Sequence, residues 1–127
     1  MSCGIRQVAM FWQGAVAIST TAVFIPSGQW MSTDTINGGR GYGALAGKTG
    51  NFQGQPAVEY TNDVRVAGTV VAVGAAITAN GVSDPTGFTA LSVTAYRFIR
   101  TGWLVSLTAG AVLAGGNLSG VIEFSSS

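Results

Sequence analysis

In one stretch of this chain after another, side-chain character alternates with a period of two. That is the spacing of a pleated strand, and it does not build the apolar stripe of a helix. Residues 15–24 put Val16, Ile18, Thr20, Ala22 and Phe24 on one face and Ala15, Ala17, Ser19, Thr21 and Val23 on the other. Residues 69–79 align Val71, Val73, Ala75 and Ile77, and residues 88–99 align Leu91, Val93 and Ala95 against Ser92, Thr94 and Tyr96. Trp103, Val105 and Leu107 then alternate with Leu104, Ser106 and Thr108. The β-branched residues in these runs suit a pleated surface. Residues 66–79 and 104–114 hold enough alanine to be helical, but interior Gly, Thr and Val lower their helix propensity, so strands are expected there too.

Turn chemistry punctuates the alternation. Pro26-Ser27-Gly28 ends the first strand, because proline cannot donate to a ladder and glycine permits the bend. Asn62 and Asp63 suit a turn between short strands at 57–60 and 64–66. Asn80-Gly81 is a strong turn pair, followed by Asp84-Pro85-Thr86-Gly87, a break at Arg100-Thr101-Gly102, a bend at Gly110 and a turn at Gly115-Gly116-Asn117. A last strand over 118–124 leaves the serines at 125–127 as a frayed tail. The reading is all-β: seven to nine short strands in a sandwich or barrel, within a single domain spanning 1–127. One segment departs from it. Residues 36–50, INGGRGYGALAGKTG, are rich in glycine and lack periodicity, so residues 28–54 are expected to form a long loop or arm that a partner orders on contact.

Charge narrows the role. Charged residues make up 9% of the chain, against about 25% in ordinary soluble domains. A lone soluble domain keeps a charged exterior, because charge opposes self-association. Neutral surface is cheap to desolvate, so this chain is expected to work covered by neighbours in an assembly. The net charge is +1, and Arg6, Arg40, Lys48, Arg65, Arg97 and Arg100 are scattered, which argues against nucleic acid as partner. Residues 8–25 are interrupted by Gln13, Ser19, Thr20 and Thr21, and 66–77 fall short of the roughly 20 residues of a spanning helix, so no membrane helix is expected. Nor is a signal peptide, since no clean apolar core ending in a cleavage site follows residues 1–6.

The residues for chemistry are scarce. Histidine is absent, which removes the commonest general base and metal ligand. Cys3 stands alone, with no imidazole to activate it and no cysteine to pair with. Glu59, Asp63 and Glu123 are the only carboxylates that suggest a glycosidase pair, and the plainer reading is that they pair with arginines or cap turns. Gly47-Lys48-Thr49 copies the end of a phosphate-binding loop, but Tyr42 stands where that motif requires glycine, and no strand–loop–helix context is evident. No enzymatic activity, cofactor, metal or small-molecule substrate is expected.

Aromatic residues are spread along the chain, and most, Phe11 and Trp12 among them, are expected in the core. Trp30, Tyr42 and Phe52 lie in the irregular segment. They either anchor it to its own domain or, with Arg40 and Lys48 beside them, serve as anchors for a partner. The short alternating strands, the glycine-rich arm, the low charge and the run LSVTAYRFIRTGWLVSLTAGAVL within residues 90–124 together resemble the small jelly-roll decoration, or cement, proteins of tailed bacteriophage capsids. The resemblance implies a jelly-roll-like β-sandwich on the outside of a virion, binding the major capsid protein and itself as a homo-oligomer. Two other readings stand beside it. One is a carbohydrate-binding β-sandwich with Trp30 or Trp103 as stacking platform and Asn and Asp as hydroxyl partners; the other is a subunit of a surface filament.

Overall fold

A computed structural model describes residues 4–32, 36–83, 89–90 and 98–126. Ten strands occupy them: β1 (Gly4–Ile18), β2 (Val23–Pro26), β3 (Met31–Ser32), β4 (Ile36–Thr49), β5 (Phe52–Thr61), β6 (Thr69–Ala72), β7 (Gly81–Ser83), β8 (Thr89–Ala90), β9 (Phe98–Leu107) and β10 (Val112–Ser126). One sheet has the order β1-β10-β4-β7, with β8 also on β4; the other has the order β2-β9-β5-β6, with β3 also on β9.

The connections explain that order. The steps β1 to β2, β4 to β5, β6 to β7 and β9 to β10 each cross from one sheet to the other, while the ladders β1·β10, β2·β9, β4·β7 and β5·β6 are all antiparallel. The chain is therefore a two-stranded ribbon, bent where β5 meets β6 and rolled so that alternate strands fall in opposite sheets. This is the double-sheet jelly roll, an architecture that buries one face of each sheet.

Period-two alternation sets what the two inner faces bury. Met10, Leu45, Leu118, Ile122 and Phe124 come from the first sheet, and Phe52, Val58, Tyr60, Ile99, Trp103, Val105 and Leu107 from the second. Trp12 stacks on Phe52 with centroids 5.7 Å apart and planes 15° from parallel. Trp103 and Phe52 are completely buried, and a large apolar side chain so placed contributes about 1.5–3 kcal/mol.

The structure replaces the expected arm at 28–54 with regular sheet. The glycine-rich part is β4, which pairs with β10 from Ile36 opposite Ser126 to Thr49 opposite Gly115, and carries β7 and β8 on its other side. Two of its glycines allow close approach. A Cβ on Gly41 would lie 2.4 Å from Cβ of Pro56, and one on Gly43 would lie 2.7 Å from Cδ1 of Ile77 and 3.1 Å from the Trp103 ring. Bare backbone at these positions lets the first sheet close over Trp103 of the second, and two ladders supply the order that the local sequence lacks.

Other expectations shift for similar reasons. The alternation over 15–24 is divided, because β1 ends at Ile18 and β2 starts at Val23. Residues 64–66 are an exposed turn, and Arg100-Thr101-Gly102 runs inside β9 with no break. Gly115-Gly116-Asn117 is a bulge within β10, where its register against β4 shifts. Of the expected frayed tail, Ser125 and Ser126 instead pair with Ile5 and Gly4, and residue 127 lies outside the described residues. Gly110 does turn the chain, at φ 77°. The turn expected at 84–87 and the alternation expected over 91–97 lie outside the described residues.

Candidate assembly surface

The described acidic side chains are each held by an arginine of the same chain. Across the outer face of the first sheet, the registers line up Gln7, Glu123 and Arg40. Arg40 donates to Glu123 Oε2 from Nε at 3.2 Å and Nη2 at 3.1 Å, and Gln7 donates to Oε1 at 3.3 Å. The Arg40 guanidinium also lies 5.2 Å from the centre of the Tyr42 ring. The second sheet repeats the device. Glu59 faces Arg100 across β5·β9 and takes Nε at 2.7 Å and Nη2 at 2.6 Å, while the Gly68 backbone N–H donates to its other oxygen at 2.9 Å. Trp30 and Phe24 lie against the same guanidinium, at 4.4 and 6.0 Å. Both glutamates are nearly buried, so each pair is shielded from salt and from solvent.

Asp63 and Arg65 form a third pair in the exposed turn after β5, with Arg65 Nε donating to Oδ1 at 2.9 Å and Nη2 to Oδ2 at 3.0 Å. That side-chain bond, helped by the Arg65 backbone N–H, holds the Asp63 carboxyl below the ordinary carboxylate range and raises the Arg65 guanidinium in turn. Lys48 spends its ammonium on the Thr78 carbonyl at 2.6 Å, and its backbone N–H donates to Asn80 Oδ1 at 3.1 Å.

The residues expected to meet a partner are thereby dispersed. Arg40 and Tyr42 sit together on the outer face of the first sheet, Trp30 lies over the second, and Lys48 is at the far end of β4. Phe52 is fully buried against Trp12, so it is a core residue and no contact residue. Trp103, one of the two expected sugar platforms, is likewise closed inside the core. Trp30, the other, has its ring against the Arg100 guanidinium.

Among the described residues, several large apolar side chains are exposed. Phe11 is 77% exposed and Leu113 69% exposed, with Val112 and Val23 about half exposed, so the placement of Phe11 in the core is corrected. Ala17, Thr21, Val23, Ala111, Val112 and Leu113 line a shallow depression of about 600 Å³ at one end of the sandwich. A signal for Phe11 was present in the sequence. Phe11-Trp12 is an adjacent pair of large apolar side chains, and in a strand one of the two must point away from the core; Val112 and Leu113 are both exposed, which alternation alone does not explain.

One edge of the first sheet is β1. There the Ser27 hydroxyl accepts from the Phe11 N–H at 2.9 Å and donates to the Phe11 carbonyl at 2.6 Å. Ser27 itself is fixed by its backbone N–H to the Thr101 carbonyl at 2.9 Å. Among the described residues no three potential ligands cluster to hold a metal ion, and no helix is long and apolar enough to cross a membrane.

The chain matches no known protein family and no curated protein. Solved structures resemble it at low identity. A chain in the structure of the infectious bursal disease virus Gx strain is 12% identical at a TM-score of 0.54, over 98% of this chain and 33% of that one. A chain of Bacillus endospore appendages, described as disulfide-linked pili, is 18% identical at a TM-score of 0.37, over 100% of this chain and 93% of that one. The VP2 subviral particle of infectious bursal disease virus gives 11% identity, over 96% of this chain and 37% of that one. The chain thus spans about a third of the length of the Gx-strain chain it matches. That match establishes the fold as a β-sandwich of the kind found in a virus particle.

Proposed function

We propose that this chain is a non-enzymatic structural subunit whose activity is to bind neighbouring protein subunits, and that it serves as a decoration or cement protein on the outside of a bacteriophage capsid. The observation that carries the reading is the internal use of charge. With Glu59, Asp63 and Glu123 each paired within the chain, the described surface holds few unpaired charges, and a partner covers it with little stripping of water from ions. Phe11, Val23, Val112 and Leu113 are exposed on it at a size that suits interface anchors. Each subunit adds a modest burial, and repetition around a shell multiplies it. The likeness in fold to a chain of a virus particle agrees with this role. The absence of histidine agrees with a role that involves no catalysis.

The test is co-sedimentation of the purified chain with phage shells stripped of their decoration, followed by negative-stain imaging. Added density at regular positions on the shell, together with greater resistance of the shell to heat, is the expected result. A chain that stays in the supernatant with every shell, or that assembles alone into fibres, would overturn the placement on a capsid.

A further inference from the structure

Deepening the assembly reading on which it rests, we infer that the edge of β1, which no described strand covers, pairs antiparallel with β1 of a second copy about a two-fold axis at Phe11, with the Ser27 hydroxyl as a removable plug. In an antiparallel ladder, alternate residues turn their N–H and C=O toward one neighbour or the other. Phe11 directs both groups away from β10, because both are bonded to Ser27. The β1·β10 register runs unshifted from Gly4 to Ile18. The same alternation therefore turns the backbone groups of Gln7, Ala9, Gln13 and Ala15 toward the open edge.

Proteins commonly guard such an edge with lysine, proline or a very short strand. At 15 residues β1 is among the longest strands here, it holds no proline, and its one charge is Arg6 near the start. The second copy is the occupant that fits. The other edge strands are short, β2 and β6 having four residues each, so β1 is the edge that matches β1 in length. About a two-fold axis at Phe11, Ala9 lies opposite the partner's Gln13 and Gln7 opposite the partner's Ala15. No like charges oppose one another, and the exposed Phe11 ring is covered by the partner's Phe11. Ser27 occupies the place of the absent strand, with its oxygen accepting as a carbonyl would and its O–H donating as an N–H would. Pairing requires the Ser27 loop to leave that edge.

The experiment is sedimentation over a wide concentration range for the wild type, Ser27→Ala and Phe11→Glu, with amide hydrogen exchange on the same samples. The pairing predicts a discrete dimer, tighter in S27A by on the order of tenfold, because the plug no longer competes for the Phe11 backbone. F11E sets two carboxylates opposite each other and abolishes the dimer. Because Phe11 is exposed, F11E should keep the wild-type melting curve at concentrations where the wild type is monomeric. The Ala9, Phe11 and Gln13 amides slow in the dimer and not in F11E. A dimer that survives F11E, or open-ended filaments, overturns this interface and leaves the assembly reading standing. If wild type and S27A both stay monomeric at every concentration, the interface is overturned; shell co-sedimentation then decides the wider reading separately.

Discussion

At the scale of single residues, Trp103 shows how much one side chain organises. It is fully buried, and Gly43 and Gly120 leave room for its ring, since a Cβ on either would come within 3.0–3.1 Å of it. Truncation to alanine would empty a space that the facing backbone cannot easily fill. Trp103→Ala is expected to cost about 3–5 kcal/mol, measured by chemical denaturation. Asp63 poses a different question, because its pair with Arg65 is exposed and its contribution to stability is small. Its carboxyl titrates below the ordinary range, so the bonded state is complete above that range and is lost as pH falls through the lowered value. An NMR titration should place the Asp63 midpoint below that of an unpaired aspartate, and Arg65→Ala should return it upward. The residue scale also separates what was legible from what was not. Arginine pairing of the carboxylates was expected from their scarcity, but the choice of Arg100 for Glu59 and Arg40 for Glu123 depends on registers between strands 41 and 83 positions apart.

At the scale of elements, the test case is β4. Glycine costs conformational entropy in a strand, so the sequence around Gly38 to Gly43 reads locally as loop. The sheet overrides it, because β4 is paired on both sides and because the close approach to the facing sheet at Gly41 and Gly43 is open only to a residue without a side chain. Gly120 on β10 is part of the same contact, with a Cβ there falling 2.2 Å from the Tyr42 carbonyl. Gly120→Ala should therefore destabilise by about 1–3 kcal/mol through overpacking, while alanine at Gly81, where nothing lies within 4 Å of an added Cβ, meets no neighbour. The two can be compared by thermal melting, the second reporting only the strain of its φ of 147°. Between β5 and β9, Arg100 is the second test. Removing it leaves Glu59 nearly buried with only the Gly68 N–H, so Arg100→Ala should cost about 2–3 kcal/mol, more than Glu59→Gln, which keeps that hydrogen bond.

At the scale of the whole molecule, the fold pairs each described carboxylate with an arginine of the same chain and leaves apolar side chains and the long strand β1 at its surface. Association driven by such surfaces depends weakly on ionic strength. The dissociation constant for self-association or shell binding should change little between low and high salt, in contrast to a steep decline if charged patches carried it; sedimentation across a salt series decides. Period-two alternation and the turn residues between the runs were enough to indicate an all-β, sandwich-like fold, because these are properties of near neighbours along the chain. They did not determine which strands would pair, that the glycine-rich stretch would be a central strand, that Phe52 would turn inward and Phe11 outward, or that Ser27 would cap β1. Those outcomes were decided by the tertiary structure. Each depends on contacts between residues distant in sequence, whose energies exist only after the ribbon has rolled up and brought the two sheets together.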